Sequence, residues 1–197
     1  MKSIFNFFKK EKTTSKMPST EELIERGFAP KNGKIDILLI FPPTSVAGRY
    51  GRDDIGDIGG DVIPLGIAML AAYLREKGFG VGVLDCPGLR IDSEKVYEII
   101  TEKNPDIIAF STSTYTLFRA IEIAKKVRNK LPNKLTLLGG SHANVAGAET
   151  VDQYDYFDIV SYGKDGEIII HDIVKKYKEK NCDRNIFMND YENLKNI

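Results

Sequence analysis

Short apolar runs, some of them with a single charged or polar residue, recur along the chain and predict the strands of a sheet. Short runs without polar interruptions are typical of parallel strands that are buried on both faces. Helical segments separate the runs, and this alternation predicts an α/β fold in which right-handed crossovers place helices on both faces of one parallel sheet. We predict five strands, in the spatial order 2-1-3-4-5, at residues 35–41, 81–84, 107–110, 135–138 and 157–161.

The helices are predicted from apolar residues that recur at a spacing of three and four positions. Pro64 is expected at the first position of the helix after the first strand, and Gly78 just past its end. A short helix is expected to begin at Ser19 or Thr20, to end at Gly27 and to pack outside the core. The other helices are expected near residues 93–102, 117–131, 148–153 and 166–180.

Two clusters of small polar residues follow the third and fourth predicted strands directly. They are residues 111–114 (Ser-Thr-Ser-Thr) and residues 139–142 (Gly-Gly-Ser-His). In open α/β sheets ligands bind at the carboxyl ends of the strands, at the crevice where the strand order reverses. Both clusters are therefore predicted to line a ligand site near that crevice. The alternative is that the hydroxyls cap a helix and the glycines turn the chain.

The segment 42–63 is long for a connection between a strand and a helix. It contains five glycines together with Arg49, Tyr50 and Arg52. Glycine allows the backbone to approach a ligand closely, so the segment is interpreted as part of the site. A solvated insertion is the alternative, because glycine and charge are also typical of disordered loops.

Other ligand classes that use this topology do not fit the end of the first strand. The GxGxxG motif of dinucleotide-binding folds is absent there. Pro42 and Pro43 remove backbone donors that a flavin phosphate loop requires. A phospho-acceptor receiver domain needs acidic residues after the first and third strands, where this chain has the two prolines and Ser111.

The charge balance bears on which partners the chain can bind, and the cysteines bear on the cellular compartment. With 28 basic and 28 acidic residues the formal net charge is zero, so no nucleic-acid partner is predicted. No apolar stretch approaches the roughly 20 residues that span a bilayer, so we predict no transmembrane segment and a cytoplasmic location. Cys86 and Cys182 lie far apart, which fits a reducing compartment and provides no zinc knuckle.

Residues 1–33 are interpreted as an N-terminal tail that carries the short helix. In its first part, apolar residues are followed by lysines: Ile4, Phe5, Phe7 and Phe8, then Lys9, Lys10, Lys12 and Lys16. They form either a basic amphipathic helix that touches a membrane or a partner, or a poorly ordered tail.

Six sequence segments, taken in order, resemble one protein family. This series is similar to the cobalamin-binding domain that precedes the catalytic barrel in cobalamin-dependent radical S-adenosylmethionine (radical SAM) enzymes. The resemblance covers about residues 34–180. It rests on residues 38–43 (LLIFPP), 64–66 (PLG) leading into 70–78 (LAAYLREKG), 83–85 (VLD), 105–111 (PDIIAFS), 139–143 (GGSHA) and 163–167 (GKDGE).

The resemblance implies a flavodoxin-like, Rossmann-like cobalamin-binding fold and a bound cobalamin. The nucleotide tail of this corrinoid would enter the sheet crevice near residues 111–114 and 139–142, and the corrin ring would lie on the strand ends under the long loop. The implied cofactor-binding residues are Pro43, Tyr50, Gly66, Asp85, Ser111, Thr112, Ser113, Thr114, Gly139, Gly140, Ser141, His142, Gly163, Gly166 and Glu167.

Two departures from the family pattern bear on the cobalt and the tail. Methionine-synthase-type cobalamin domains have Asp-x-His-x-x-Gly after the first strand, and the histidine is the lower ligand to cobalt. The corresponding loop of this chain holds no histidine, so this chain is not expected to ligate cobalt in that mode and no metal-binding residue is predicted. His142 is expected to bond the tail or to have a structural role. Lys164 stands where the family usually has a glutamate, and it is either a cation near the tail phosphate or a neutral change in a solvated turn.

Catalysis is expected to require a second component. The chain lacks the CxxxCxxC motif that holds a [4Fe-4S] cluster, so the cluster and S-adenosylmethionine are expected only on a partner or a missing domain. We interpret residues 34–180 as the cobalamin-binding module of a radical SAM enzyme, most often a methyltransferase, and residues 181–197 as a linker or docking tail. The alternatives are a stand-alone corrinoid carrier or sensor, and a flavodoxin-like fold that has lost its site.

Overall fold

A mostly parallel sheet forms the centre of the protein. The computed structural model describes residues 18–44 and 63–195. Within that part of the chain the sheet has six strands in the order β1-β3-β2-β4-β5-β6. The strands are β1 (Phe28–Ala29), β2 (Ile37–Phe41), β3 (Val81–Asp85), β4 (Ile107–Ser111), β5 (Leu135–Gly139) and β6 (Ile159–Val160).

Strands β2 to β6 are parallel and confirm the predicted order 2-1-3-4-5 when they are counted as the first to fifth strands. In the centre, Leu39 of β2 pairs with Val83 of β3 and with Ala109 of β4. The sequence analysis missed β1, which pairs antiparallel with β3 at the edge of the sheet. Two residues are too few to produce a readable alternation of apolar and polar positions.

Helices cover both faces of the sheet, as the alternation of elements predicted. Asp92 begins one of them by accepting a hydrogen bond from the amide of Lys95 at 2.9 Å, and Asn104 ends it in the left-handed conformation. The helices are α1 (Thr20–Arg26), α2 (Leu65–Glu76), α3 (Cys86–Leu89), α4 (Ser93–Lys103), α5 (Leu117–Lys130), α6 (Ser141–Gln153), α7 (Gly166–Glu179) and α8 (Arg184–Lys195).

Two hydrophobic clusters form the core, one on each face of the sheet. On β2, Ile37 and Leu39 face the cluster built with α2 and α7, whereas Leu38 and Ile40 face the cluster built with α4 and α5. All four side chains are at most 1% exposed. Because successive side chains of a strand point to opposite faces, an apolar run of this kind supplies both clusters at once.

Several predicted boundaries differ from the structure. Helix α6 begins at Ser141 rather than near residue 148, and it is kinked at Ala146, whose φ and ψ are −125° and 22°. Pro64 is the residue before α2 and not its first residue. Helix α1 is capped by Ser19 as expected, but its Ile24 belongs to the core, which corrects the expectation that this helix packs outside it.

Helix α8 lies within residues 181–197, the predicted linker or docking tail. Its Phe187 is buried and meets the ring of Tyr177 at a centroid distance of 5.3 Å. The division into tail, module and linker stays a prediction. In the described part of the chain no helix is long and apolar enough to cross a membrane.

Aspartates that precede three of the strands anchor the amino-terminal edge of the sheet. Asp36 precedes β2 and pairs with Lys178 at 2.6 Å, and Asp106 precedes β4 and pairs with Lys34 at 2.6 Å. Asp158, before β6, binds the guanidinium groups of Arg128 and Arg184, each at 2.6 Å. These ion pairs connect the strands to α5, α7 and α8.

Candidate functional site

A cleft of about 190 Å³ opens at the carboxyl ends of β4, β5 and β6, between the sheet and the helices α2 and α7. Its rim carries small and polar groups where the strands end, among them Ser111, Gly139 and Ser161. Apolar side chains form its walls: Leu39, Ala109 and Leu137 from the sheet, Ile67 and Leu70 from α2, and Ile170 from α7. An apolar pocket with a few polar groups at its edge is the usual form of a small-molecule site.

The structure brings the two predicted polar clusters together at this edge of the sheet. The amide of Thr112 donates to the carbonyl of Gly139 at 2.8 Å, and the amide of His142 donates to the carbonyl of Thr112 at 3.0 Å. The side chains of Thr114 and His142 also meet, with Oγ1 and Nδ1 3.3 Å apart. The loops after β4 and β5 therefore form one unit, although 27 residues separate their hydrogen-bonded partners.

The two glycines of the second cluster have different roles. Gly140 adopts a φ of +95°, and a Cβ atom there would lie 2.6 Å from the amide nitrogen and from the carbonyl oxygen of Thr112. Only glycine fits this close approach of two loops. At Gly139 a Cβ atom would meet its nearest neighbours at 3.8 Å and 3.9 Å, so the missing side chain leaves space in the cleft.

The Ser/Thr cluster also shapes the start of α5, the alternative that the sequence left open. The carbonyl of Ser113 accepts hydrogen bonds from the amides of Thr116 and Leu117, both at 3.1 Å. The amide of Ser113 donates to Oγ1 of Thr116 at 2.9 Å. Ser113 is thus engaged in the turn before α5, whereas Ser111 lines the cleft. Turn formation and cleft lining fall to different members of the cluster.

The turn between β6 and α7 forms the outer side of the cleft. The amide of Gly163 donates to Oδ1 of Asn144 in α6 at 2.9 Å, which fixes this turn to the neighbouring helix. Tyr162 and Lys164 line the cleft from the same turn and are exposed to solvent. Among the described residues of the lining, Lys164 is the only one with a charge.

The predicted site residues divide into two groups and one outlier. Ser111, Gly139, Gly140, Gly163 and Gly166 line the cleft. Tyr50 lies outside the described residues. The others are near the same edge of the sheet without lining this cleft: Pro43, Gly66, Asp85, Thr112, Ser113, Thr114, Ser141, His142 and Glu167.

Asp85 illustrates how a predicted binding residue also serves the fold. It ends β3, and its carboxylate accepts a hydrogen bond from the amide of Gly88 at 3.4 Å, which caps α3. Cys86 follows directly and is fully buried. Burial raises the pKa of the Cys86 thiol well above its ordinary value, so this thiol is protonated at neutral pH and is not a nucleophile.

Residue-level reasoning missed the apolar walls and the residues Asn144, Ser161 and Tyr162. Leu39, Ile67 and Ile170 were identified only as core positions, because apolar periodicity does not distinguish a core contact from a pocket wall. A signal was available for the turn: Ser161, Tyr162 and Gly163 follow the last strand, as the two polar clusters follow the strands before it. In the part of the chain that is described, no group of His, Cys, Asp and Glu side chains could hold a metal ion.

Comparison with known families identifies the class of protein that this fold and cleft define. The family model for the B12 binding domain matches residues 51–170, which is more than half of the chain. The chain belongs to the B12-binding domain family, as the resemblance in its sequence predicted.

Three curated proteins are similar to this chain over part of their length. The chain is 29% identical over 126 residues to the anaerobic magnesium-protoporphyrin IX monomethyl ester cyclase of Cereibacter sphaeroides, which covers 64% of this chain and 20% of that protein. It is 29% identical over 138 residues to an uncharacterized methyltransferase of Pyrococcus horikoshii, covering 70% and 28%. It is 27% identical over 70 residues to the cobalamin-dependent radical SAM methyltransferase TokK of Streptomyces tokunonensis, covering 36% and 10%. The chain therefore spans at most 28% of the length of these relatives and matches the B12-domain region.

Proposed function

We propose that this chain binds a cobalamin with the nucleotide tail in the cleft, and that it presents the corrinoid to a radical SAM component that transfers a methyl group. The observation that carries the proposal is the apolar cleft at the carboxyl ends of β4 to β6, in a chain of the B12-binding domain family. The radical SAM part of the proposal comes from TokK, whose name describes a cobalamin-dependent radical SAM methyltransferase.

The chemistry of the cleft fits a cobalamin tail. The tail contains a flat, apolar base together with a ribose and a phosphate. The walls formed by Leu39, Ile67 and Leu137 offer an apolar surface to the base, and burying such a base is favourable in proportion to its area. Ser111 offers a hydroxyl at the rim, and the space left at Gly139 accommodates ligand atoms.

The proposed division of labour assigns separate roles to two sets of residues. Ser111, Gly139, Gly140, Gly163 and Gly166 contact the tail. The other predicted site residues near the strand ends contact the ring or support those contacts, and Thr112 with His142 holds the two loops together. A bound corrinoid supplies a cobalt-carried methyl group. This chain holds the corrinoid in position, and the iron-sulfur cluster and S-adenosylmethionine belong to the second component.

Binding is tested directly with purified protein. We expect the chain to retain hydroxocobalamin through gel filtration and to show the visible spectrum of a bound corrinoid in the protein peak. Retention should fail with free haem, which lacks a nucleotide tail. If no corrinoid is retained under aerobic or reducing conditions, the proposed function is wrong.

The placement of the tail is tested by filling the cleft. Gly139→Val adds side-chain bulk where the structure has space and no backbone clash, and Ser111→Leu does the same at the rim. We expect each to weaken cobalamin binding by at least about a hundredfold, because the bulk competes for the volume of the base. Thr101→Leu on the exposed surface of α4 is the matched control. Unchanged affinity in both cleft variants, with an intact circular dichroism spectrum, would refute this placement.

The second component is tested on the native polypeptide. Mass spectrometry of the protein isolated from its own cells shows whether this sequence continues into a region with CxxxCxxC or co-purifies with a protein that has one. Either result supports the radical SAM role. A free chain that carries corrinoid without such a partner would favour the carrier or sensor alternative.

A further inference from the structure

Tyr162 is a large aromatic residue that is exposed at the border of the cleft. It is one of the residues that line the apolar cleft, and it is 60% exposed to solvent. Large aromatic side chains gain much from burial, and their polar tip tolerates a wet edge. An aromatic ring beside an apolar cleft therefore has a large surface that a bound molecule can cover.

Helix α6 is shaped to receive this ring. A Cβ atom at Gly147 would lie 2.7 Å from Cδ1 and 3.1 Å from Cγ of Tyr162, so the ring rests on the bare backbone of the helix. The kink at Ala146 immediately precedes this glycine. Asn144, one turn earlier, accepts the hydrogen bond from the amide of Gly163 and fixes the backbone next to the tyrosine.

These contacts hold the tyrosine where it borders the cleft, although solvent covers more than half of it. Glycine inside a helix destabilises it relative to alanine, so the absence of a side chain at Gly147 is explained by the ring that occupies the space. The packing of the Tyr162 ring on Gly147 and the exposure of Tyr162 at the cleft are independent observations about the same residue.

We propose that Tyr162 is a binding residue for the nucleotide tail: its ring forms the outer wall of the cleft, and the tail covers the ring when the corrinoid binds. This inference rests on the proposed function and adds a residue that the sequence analysis did not select. The preference of the site for corrinoids with a complete tail then depends in part on this aromatic contact.

The test compares two corrinoids, cobalamin and cobinamide, of which the second lacks the nucleotide tail. We expect Tyr162→Ala to raise the dissociation constant of cobalamin about tenfold and that of cobinamide by less than about twofold. Tyr162→Phe should retain most of the affinity, because the ring provides the contact. Tyr115→Ala removes another exposed tyrosine at this edge, outside the cleft lining, and should leave the ratio of the two constants unchanged.

The packing of Tyr162 against Gly147 is tested by a double-mutant cycle. Gly147→Ala places a methyl group against the ring and should weaken cobalamin binding severalfold, while the helix itself tolerates alanine. In the Tyr162→Ala background the same change should have no further effect, since the ring it displaces is absent. Additive effects of the two substitutions would show that the packing on Gly147 does not position the ring for binding.

The possible failures are distinguishable. If the unmodified chain retains neither corrinoid, the proposed function fails. If it binds cobalamin and Tyr162→Ala changes neither constant, the assignment of Tyr162 fails alone. If Tyr162→Ala weakens cobalamin and cobinamide equally, the ring contacts the corrin part and the assignment to the tail is wrong.

Discussion

The amino and carboxyl ends of the parallel strands, called here the amino and carboxyl edges of the sheet, carry different kinds of residue. At the amino-terminal edge, Asp36 and Asp158 have side chains only 2% exposed, and each pairs with a cation from a helix. At the carboxyl edge, glycines and hydroxyls surround the cleft, and large side chains such as Tyr162 remain exposed.

This difference separates stability from binding. Buried aspartates with fixed cations hold strands and helices in one arrangement, and a ligand could not replace those partners without a large desolvation cost. Hydroxyls and backbone amides at an open cleft exchange water for ligand at a low cost. The comparison predicts that substitutions at the amino edge lower stability, whereas those at the carboxyl edge mainly change binding, except where they strain the backbone as at Gly140.

Asp158→Ala should have the largest effect on stability. The carboxylate accepts hydrogen bonds from Arg128 and Arg184 and from both the amide and the hydroxyl of Thr136. Its removal leaves two partly buried guanidinium groups without their counter-ion, so we expect the free energy of unfolding to fall by about 3–5 kcal/mol. Urea unfolding followed by circular dichroism measures the change.

Asp158→Ala should lower stability without changing binding. The folded fraction of Asp158→Ala should bind cobalamin with unchanged affinity, because the proposed site lies at the carboxyl ends of the strands and Asp158 lies at their amino ends. Asp158→Asn, which keeps an acceptor oxygen, should be affected less and serves where the alanine variant does not fold. A loss of stability below about 1 kcal/mol would mean that this buried network contributes little.

Cys182 tests whether the amino edge is closed to reagents. Burial, together with the hydrogen bond from its Sγ to Asp106 at 3.2 Å, raises the pKa of this thiol from 9.0 to about 11. The thiolate is the reactive form, and its scarcity near pH 8 is partly offset because a more basic thiolate is a stronger nucleophile. We therefore expect Cys182 to be alkylated by iodoacetamide about tenfold more slowly than an unperturbed cysteine. Mass spectrometry measures the rate.

The pH dependence and one variant supply the controls for Cys182. The alkylation rate should keep rising with pH until the pH approaches the raised pKa. Asp106→Asn removes a negative charge that disfavours the thiolate, so it should lower the pKa and accelerate alkylation. A rate equal to that of a free cysteine would contradict a closed edge.

Gly140→Ala and Gly139→Ala form a matched pair at the carboxyl edge. Alanine at Gly140 meets the backbone of Thr112 at 2.6 Å and must adopt a positive φ, so we expect it to cost about 2 kcal/mol of stability. Alanine at Gly139 meets nothing closer than 3.8 Å and should cost less than about 1 kcal/mol. Urea unfolding of both variants gives the comparison. Equal costs would show that the turn at Gly140 is not constrained as the structure indicates.

How much the sequence could predict differs between the two edges as well. The parallel strands were predictable because each is a short apolar run, and the clusters at residues 111–114 and 139–142 were predictable because they follow such runs directly. The three anchoring aspartates also leave a signal, since each is followed by the isoleucine that begins a strand, as in Asp36-Ile37. Their cations come from distant elements, and sequence separation conceals that pairing.

The cleft could not be derived from local pattern. Ile67 on α2 and Ile170 on α7 share a wall although about half of the chain separates them, and helical periodicity assigns both to a core. The start of α6 was missed because glycine, serine, histidine and asparagine give no apolar repeat there. Tyr162 follows the last predicted strand directly, which is a signal in the sequence, but its place in the cleft lining and its packing against Gly147 depend on contacts between distant elements.

Thr114→Val should have the smallest effect. It tests whether side-chain hydrogen bonds at the carboxyl edge contribute little to stability. The hydrogen bond between Thr114 and His142 is exposed and 3.3 Å long, so water replaces it readily. We expect the free energy of unfolding to fall by about 0.5 kcal/mol, measured by urea unfolding beside His142→Ala and the double variant. If the pair acts as one link, the double variant should lose little more than the larger single loss. A loss near that of Asp158→Ala would mean that side-chain bonds fix the carboxyl edge as firmly as the amino edge, and the separation of stability from binding would not hold.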